Sequence, residues 1–334
     1  MVAEFQSIAV LGAGAWGTAL AVAAKRAGRH VALWAREPEV REAIATRGEN
    51  TPFLHGIRLT PDLALPEDPI AAAAAADAIL LAAPAQHLRS QIAAVAPAVR
   101  PGTPLIVCAK GLERGTARLM TEIVAEAAPG AEAAILSGPS FAEDVARGLP
   151  TAVTLAARTL PLAQALAAAL ASPAFRPYAS DDPVGAAIGG AVKNVLAIAC
   201  GIAEGKGFGA SARAALIARG FAEMRRFGAA LGARPETLTG LSGFGDLILT
   251  CTTAQSRNFA FGLALGSGES VAEADGHSRG VVEGAASARP VVERAAGLGV
   301  DMPIAAAVAG IVDGAPIESA IAALLARPLR AEHE

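Results

Sequence analysis

The first half of the chain repeats one pattern: a short apolar block, a glycine or proline, then a stretch of helical composition. Ser7–Leu11 (SIAVL), Val31–Trp34 (VALW), Ala78–Ala83 (AILLAA), Leu105–Cys108 (LIVC) and Ala133–Ser137 read as strands. Continuous apolar runs of this length suit strands buried on both faces of a parallel sheet. Helices are expected between them, over Thr18–Ala27 with Gly28 as its stop, and from Gln86 to about Val95 after Pro84. Val153–Ala156 and Phe175–Tyr178, separated by a helix Leu160–Leu170, extend the sheet. The Ala-rich runs Ala71–Ala76 and Ala167–Ala171 read as helix filler. Near Asp181 the pattern changes to longer apolar stretches with glycine-rich joins. Val184–Glu204, Ser211–Leu231, Arg257–Leu265, Gly284–Leu298 and Pro303–Val312 read as helices, and no strand pattern follows. The boundary falls near 180–185, and there is no internal repeat.

Between the first strand and the first helix stands Gly12-Ala13-Gly14-Ala15-Trp16-Gly17. Alone, GxGxxG is a weak signal; between a strand and a helix it is a dinucleotide-binding turn. Gly12 permits the tight turn, Gly14 lets backbone approach a pyrophosphate, and Gly17 lets the helix pack on the strand. The helix N-terminus then meets the anion with unpaired N–H groups. The expected fold class is therefore α/β: an N-terminal Rossmann-like doubly wound sheet, residues 1–182, then an all-α substrate-binding and catalytic domain, residues 183–334. After the second strand an NAD site usually offers Asp or Glu to the ribose. Here Arg36 precedes Glu37. A guanidinium can pair with a 2′-phosphate, which tilts the choice toward NADP, while Glu37 keeps NAD open.

Ligands in open α/β sheets sit beyond the carboxyl ends of the strands, which puts Pro84, Lys110 and Gly138–Ser140 on the functional rim. Ser140-Phe141-Ala142-Glu143 fits a capping box opening a helix. Asp182 and Pro183 mark a helix start, and in the helix that follows Lys193 has no charged partner three, four or seven residues away. Two readings are open: a lysine snorkelling to a solvated edge, or a desolvated ammonium whose pKa falls into the range for proton transfer. We take Lys193 as the candidate acid/base. Asp246, after a flexible glycine turn, is either a carboxylate with a chemical role or the cap of the segment that follows. Ser256-Arg257-Asn258 are consecutive donors at a helix start, suited to a phosphate or carboxylate, or else an ordinary cap beside a surface Arg.

Composition narrows the classes. The 334 residues exceed one comfortable core. Hydrophobic content is 53% with only 4% aromatic, so the apolar mass is Ala, Val and Leu. A net charge of −3 without a basic run argues against nucleic acid as partner. Cys108, Cys200 and Cys251 are far apart and form no CxxC pair, which argues against a disulfide framework or zinc site and for a reducing compartment. The start, MVAEFQSIAVLG, carries no basic leader, so a cytoplasmic enzyme without membrane insertion is expected. The five histidines sit alone, and no metal cluster is visible.

Taken in order, these segments resemble the bacterial NAD(P)-dependent glycerol-3-phosphate dehydrogenase family over nearly the whole chain. The most specific pieces are GAGAWGTALA at 12–21, AKGLE at 109–113, SGPSFAEDVARGLPTAV at 137–153, the run from 189 to 224, GFGDLILTC at 243–251 and SRNFAFG at 256–262. The resemblance implies reversible reduction of dihydroxyacetone phosphate to sn-glycerol 3-phosphate, a precursor for phospholipid synthesis. It also implies Lys193 as proton donor, with Lys110 and Asp246 beside it. Substrate contacts then fall to Lys110, Gly138, Ser140, Lys193, Asp246, Ser256, Arg257 and Asn258. Cofactor contacts fall to Gly12, Gly14, Ala15, Trp16, Gly17, Arg36, Pro84, Lys110, Ala142, Arg257, Val281 and Glu283. Departures are Ala15 and Ala85 where the family often has Ser, and Phe53-Leu54-His55-Gly56 on a Tyr-Leu-Pro-Gly theme. The rival readings are a β-hydroxyacid dehydrogenase, whose carboxylate substrate the 256–258 triplet also fits, and a non-catalytic NADP-binding redox sensor. The small-residue faces of the helical half suit a homodimer.

Overall fold

In the computed structural model, which describes residues 5–60, 62–277, 280–329 and 331, seven strands make one sheet. They are β1 Ser7–Leu11, β2 His30–Trp34, β3 Ala78–Leu81, β4 Pro104–Val107, β5 Glu132–Ser137, β6 Thr151–Ala157 and β7 Phe175–Ser180, in the order β2-β1-β3-β4-β5-β6-β7. All neighbours are parallel except β5 and β6. β3 and β4 are buried at every residue, as their unbroken apolar sequences require. The chain leaves β1 toward β2 on one side and returns to β3 on the other, and this reversal opens a crevice at the carboxyl ends of β1 and β3.

Two apolar cores flank the sheet. One holds Val10, Leu20, Leu33 and Leu166 under the helices Ala15–Arg26 and Leu160–Leu170. The other, with Ile79, Leu81, Leu105 and Val107, is continuous with Ile188, Val192, Leu196 and Phe227 of the helical half. The sheet and the helices thus share one core on that side.

The helical half is built on Pro183–Gly205, whose start is held twice by Asp182. One carboxylate oxygen accepts from Gly185 N at 2.8 Å and the other from Arg234 N at 2.8 Å. This helix is long and apolar enough to cross a membrane, yet its whole apolar window is buried inside the protein. Around it stand Gly209–Ala230, Arg257–Gly266, Glu283–Gly297 and Pro303–Val312. No strand follows Ser180 among the described residues.

Several elements differ from the sequence reading. The helix expected from Gln86 opens as a 3-10 turn, Ala85–His87, and becomes α only at Leu88–Val95. The capping box at Ser140 does not form. The helix there is Ala142–Arg147, with Phe141 at its cap, so Ser140 stands one position too early. Its hydroxyl donates to Gly138 O at 3.0 Å, and Glu143 pairs with Arg147. The helices Pro38–Arg47, Met120–Ala127, Asp246–Cys251 and Ile317–Leu325 are absent from the sequence reading because they are short: Met120–Ala127 and Ile317–Leu325 do repeat apolar residues at helical spacing, but over only two turns.

Helix Pro303–Val312 has no side-chain cap of its own. Glu223, buried on Gly209–Ala230, accepts from Ile304 N at 2.7 Å and Ala305 N at 3.2 Å. Burial raises its carboxyl to about 7, against the pull of the two N–H donors. A carboxyl raised on folding contributes stability that is present below its unfolded pKa and is lost as pH rises through the folded one. Relative to wild type, Glu223→Gln should therefore gain about 1–3 kcal/mol between pH 5 and 8 in denaturant titrations. A pH-independent difference contradicts this placement of the buried charge.

Candidate active site

The turn after β1 is forced into place by contact. Gly12 has φ 116°, and a Cβ there would meet the Ala82 backbone at 3.0 Å. A Cβ on Gly17 would stand 1.8 Å from Gly12 O, whereas one on Gly14 would meet nothing within 4 Å. Gly17 is thus needed for the fold of the turn, and Gly14 faces open space above it. Asn50, fully buried, braces the turn from outside, with Nδ2 2.8 Å from both Ala13 O and Thr18 Oγ1. The helix Ala15–Arg26 carries no acidic residue in its first turn and no side-chain cap, so its terminal N–H groups and partial positive charge are not neutralised internally. The Trp16 indole N–H is buried without a partner, and Trp16, Ala15 and Ala142 pack on the same core. An uncapped helix end, an open glycine and an unpaired buried donor fit a dinucleotide pyrophosphate. After β2, Arg36 is exposed and lies on Glu37, with Nε at 2.9 Å and Nη2 at 2.6 Å from one carboxylate oxygen.

The ends of β3, β4 and β5 supply Pro84, Lys110 and Gly138. Gly138 has φ 148°, and a Cβ would fall 2.9 Å from Val153 Cα. Its carbonyl accepts from Lys110 Nζ at 3.0 Å. Lys110 Nζ also donates to Asp246 Oδ2 at 2.7 Å, while Lys193 Nζ donates to Asp246 Oδ1 at 2.5 Å and to Thr250 Oγ1 at 2.8 Å. One carboxylate, 0% exposed, therefore separates two ammonium groups, of which Lys193 is 6% exposed. Asp246 is the first residue of the helix Asp246–Cys251 and its side chain caps nothing, so the capping reading does not hold. The π-helical turn Leu241–Gly245 delivers it, and Gly189 makes room: a Cβ there would lie 2.3 Å from Ser242 O. Lys193 does not reach a solvated edge. Burial, aided by the like charge of Lys110, lowers its pKa to about 8, and Asp246 opposes that fall.

The 256–258 triplet is divided by the fold. Ser256 Oγ accepts from Phe259 N at 3.3 Å and caps Arg257–Gly266. Asn258 turns inward: Nδ2 donates to Asn194 Oδ1 at 2.9 Å, and Oδ1 accepts from Gly284 N at 2.8 Å. Asn194 in turn donates to Lys110 O at 3.1 Å. Arg257 alone of the three is exposed. Its charge lowers the Glu283 carboxyl somewhat, but burial dominates and raises that group to about 7. Glu283 Oε1 accepts from Ala85 N at 3.0 Å, and Oε2 is buried without a partner. Val281 lies exposed just before it. Asn194, Thr250 and Asn50 were not among the sequence candidates. Thr250 lies one helical turn after Asp246 and Asn194 beside Lys193, which are the only local signals they carry. Among the described residues there is no group of three or more metal-ligating side chains, and the three cysteines are free and buried.

A Rossmann-type crevice joined to a buried lysine–carboxylate–lysine cluster defines a dinucleotide-dependent oxidoreductase. Residues 7–163 and 182–322 match the N-terminal and C-terminal families described as NAD-dependent glycerol-3-phosphate dehydrogenase, and the chain belongs to that family. It is 56% identical over 333 residues to a protein of Parvibaculum lavamentivorans named glycerol-3-phosphate dehydrogenase [NAD(P)+], covering 99% of this chain and 100% of that one. A Bradyrhizobium protein of the same name is 60% identical over 329 residues, covering 98% and 99%. The crystal structure of glycerol-3-phosphate dehydrogenase from Coxiella burnetii superposes with a TM-score of 0.92 at 38% identity, covering 97% of this chain and 99% of that one.

The glycine geometry separates folding from cofactor binding. Gly14→Ala should leave the melting temperature of the free protein within about 2 °C of wild type and weaken cofactor binding at least about tenfold. Gly17→Ala should lower the melting temperature itself, because its Cβ cannot coexist with Gly12 O. Calorimetry and cofactor fluorescence on both variants distinguish them, and a normally stable Gly17→Ala refutes the contact argument.

Proposed function

We propose that the chain catalyses the NAD(P)-dependent, reversible reduction of dihydroxyacetone phosphate to sn-glycerol 3-phosphate, with Lys193 as proton donor. The observation that carries this is the buried Asp246 carboxylate shared by Lys193 and Lys110, supported by membership of the family. Bound NAD(P)H supplies a hydride to the carbonyl carbon, and the residues that would hold it are Gly12, Gly14, Ala15, Trp16, Gly17, Arg36, Pro84, Ala142, Val281 and Glu283. Negative charge then grows on the carbonyl oxygen, where two ammonium groups on one carboxylate leave a net positive field. Lys193, with its lowered pKa, gives that oxygen a proton and is restored from solvent. Lys110 supplies the second ammonium group of that field. Asp246 holds both lysines at the reacting oxygen and offsets their desolvation.

Arg257, the exposed member of the triplet, is the anchor for the substrate phosphate, with Ser256 and Asn258 at the same helix start and Gly138 and Ser140 beyond the carboxyl end of β5. Phosphate binding positions a small and otherwise featureless ketone. In this reading residues 1–182 form the cofactor domain and 183–334 the substrate domain. The protein is cytoplasmic, the small-residue helical faces serve a homodimer, and the product feeds phospholipid synthesis. The exposed Arg36–Glu37 pair serves both cofactors, Arg36 turning to the 2′-phosphate of NADPH and Glu37 to the ribose hydroxyls of NADH.

NADPH oxidation with dihydroxyacetone phosphate tests the reaction, with unphosphorylated dihydroxyacetone and a β-oxoacid as controls. Lys193→Ala should bind NADPH normally and lose about 10²–10⁴-fold in turnover, and wild-type turnover should fall as pH rises past about 8, where Lys193 loses its proton. Arg257→Ala should raise KM at least about tenfold with a smaller change in kcat. Retained turnover in Lys193→Ala removes that residue from its role, and NADPH oxidation by β-oxoacids alone overturns the substrate assignment.

A further inference from the structure

The loop bearing Lys110 makes few backbone bonds of its own. Glu113 N donates to Arg118 O at 3.0 Å, and the Lys110 carbonyl takes a side-chain donor from Asn194. Its middle is held largely by side chains, and the one that bonds two of its backbone groups is a carboxamide from the turn after β3. Gln86 Nε2 donates to Leu112 O at 2.8 Å, and Gln86 Oε1 accepts from Arg114 N at 2.9 Å. The two bonds mimic the pairing of a neighbouring strand across residues 112–114. Leu112 N is taken from the other side by the buried Ser287 Oγ at 3.3 Å. One turn beyond Gln86, Arg89 forks onto Glu113 with two bonds of 2.8 Å. The adjacent Ala85 N is the group bound by Glu283. The turn that faces the cofactor crevice and the loop that carries the fixed cation are therefore one bonded unit, with Gln86 at its centre.

We propose that Gln86 is a positioning residue for the reaction: its carboxamide sets the standing of the 110–114 loop, so that the Lys110 ammonium reaches both Gly138 O and Asp246. This deepens the dehydrogenase reading and rests on Lys110 serving as its fixed cation. Loosening the loop lets Lys110 leave Asp246, and Lys193 then keeps the whole carboxylate and loses a like charge. The groups facing Lys193 are Asp246 and Thr250 from the helix Asp246–Cys251, Lys110 from the loop, and the thiol of Cys251. Losing the Lys110 interaction moves the proton affinity of Lys193 upward.

The test uses the full-length protein with Gln86→Met, which keeps the length and loses both bonds, and Gln86→Glu, which keeps only an acceptor for Arg114 N. Each is compared with wild type for kcat, NADPH binding by fluorescence, the pH profile, and acetylation of Lys110 by acetic anhydride followed by mass spectrometry. We expect kcat to fall at least about fivefold while the NADPH Kd stays within about twofold. The basic limb of the profile should move up by about half a pH unit or more. Lys110 should be acetylated several-fold faster, a readout that needs no turnover. A purely structural role would lower stability and cofactor binding together and leave the limb in place. In whichever variant folds, an unmoved limb or an unchanged Lys110 acetylation rate overturns the assignment. Failure of wild type to reduce dihydroxyacetone phosphate overturns the substrate reading instead, and the acetylation comparison then still decides the clamp.

Discussion

The structure turns on one buried carboxylate. Asp246, shut off from solvent, holds the ammonium groups of two lysines that come from opposite halves of the chain: Lys110 from the rim of the sheet and Lys193 from the middle of the central helix. Removing either partner from such a cluster leaves an uncompensated charge in a medium that cannot solvate it. Much of the surrounding architecture follows from this need. Gly189 has no side chain because the segment carrying Asp246 must press against the helix there. Thr250 takes a further proton of Lys193, and Gly138 O a further proton of Lys110. The core shared by the sheet and the helices keeps the three charges in register.

The same cluster gives its two lysines different surroundings. Lys193 is buried and feels the like charge of Lys110, so its proton is held loosely. Lys110 stands nearer the open rim, with a carbonyl and a carboxylate as acceptors. Two groups of the same type thus take different roles from their surroundings alone. Glu283 follows a related logic at the cofactor turn, where burial raises a carboxyl that bonds backbone on one oxygen and keeps the other unpaired.

How much of this was legible in the sequence depended on the range of the interaction. The strands were readable because β3 and β4, and β1 from Ile8 onward, are buried on both faces and so are apolar. The dinucleotide turn was readable because its three glycines answer to local contacts. Lys193 stood out through the absence of any partner on its own helix face, while its pairing with Asp246, 53 residues away, came with the family resemblance and left no local mark. Ser140 misled because a capping pattern shifted by one residue looks the same in sequence. The inward turn of Asn258 depends on Asn194 and Gly284, 64 and 26 residues away. The Gln86 clamp acts on backbone groups 26 and 28 residues on, and side-chain bonds to distant backbone leave no periodic trace.

The most direct test of the central claim is the turnover of Asp246→Asn with NADPH and dihydroxyacetone phosphate at neutral pH, measured beside its NADPH affinity. Asparagine keeps the size of the side chain and removes the charge that balances two ammonium groups. With that charge gone, the proton affinity of Lys193 falls further and the acid is depleted. The account predicts a fall in kcat of at least about a hundredfold with NADPH affinity within about twofold of wild type. A variant that keeps a third or more of wild-type turnover would show that the carboxylate is not what holds the two lysines to their work.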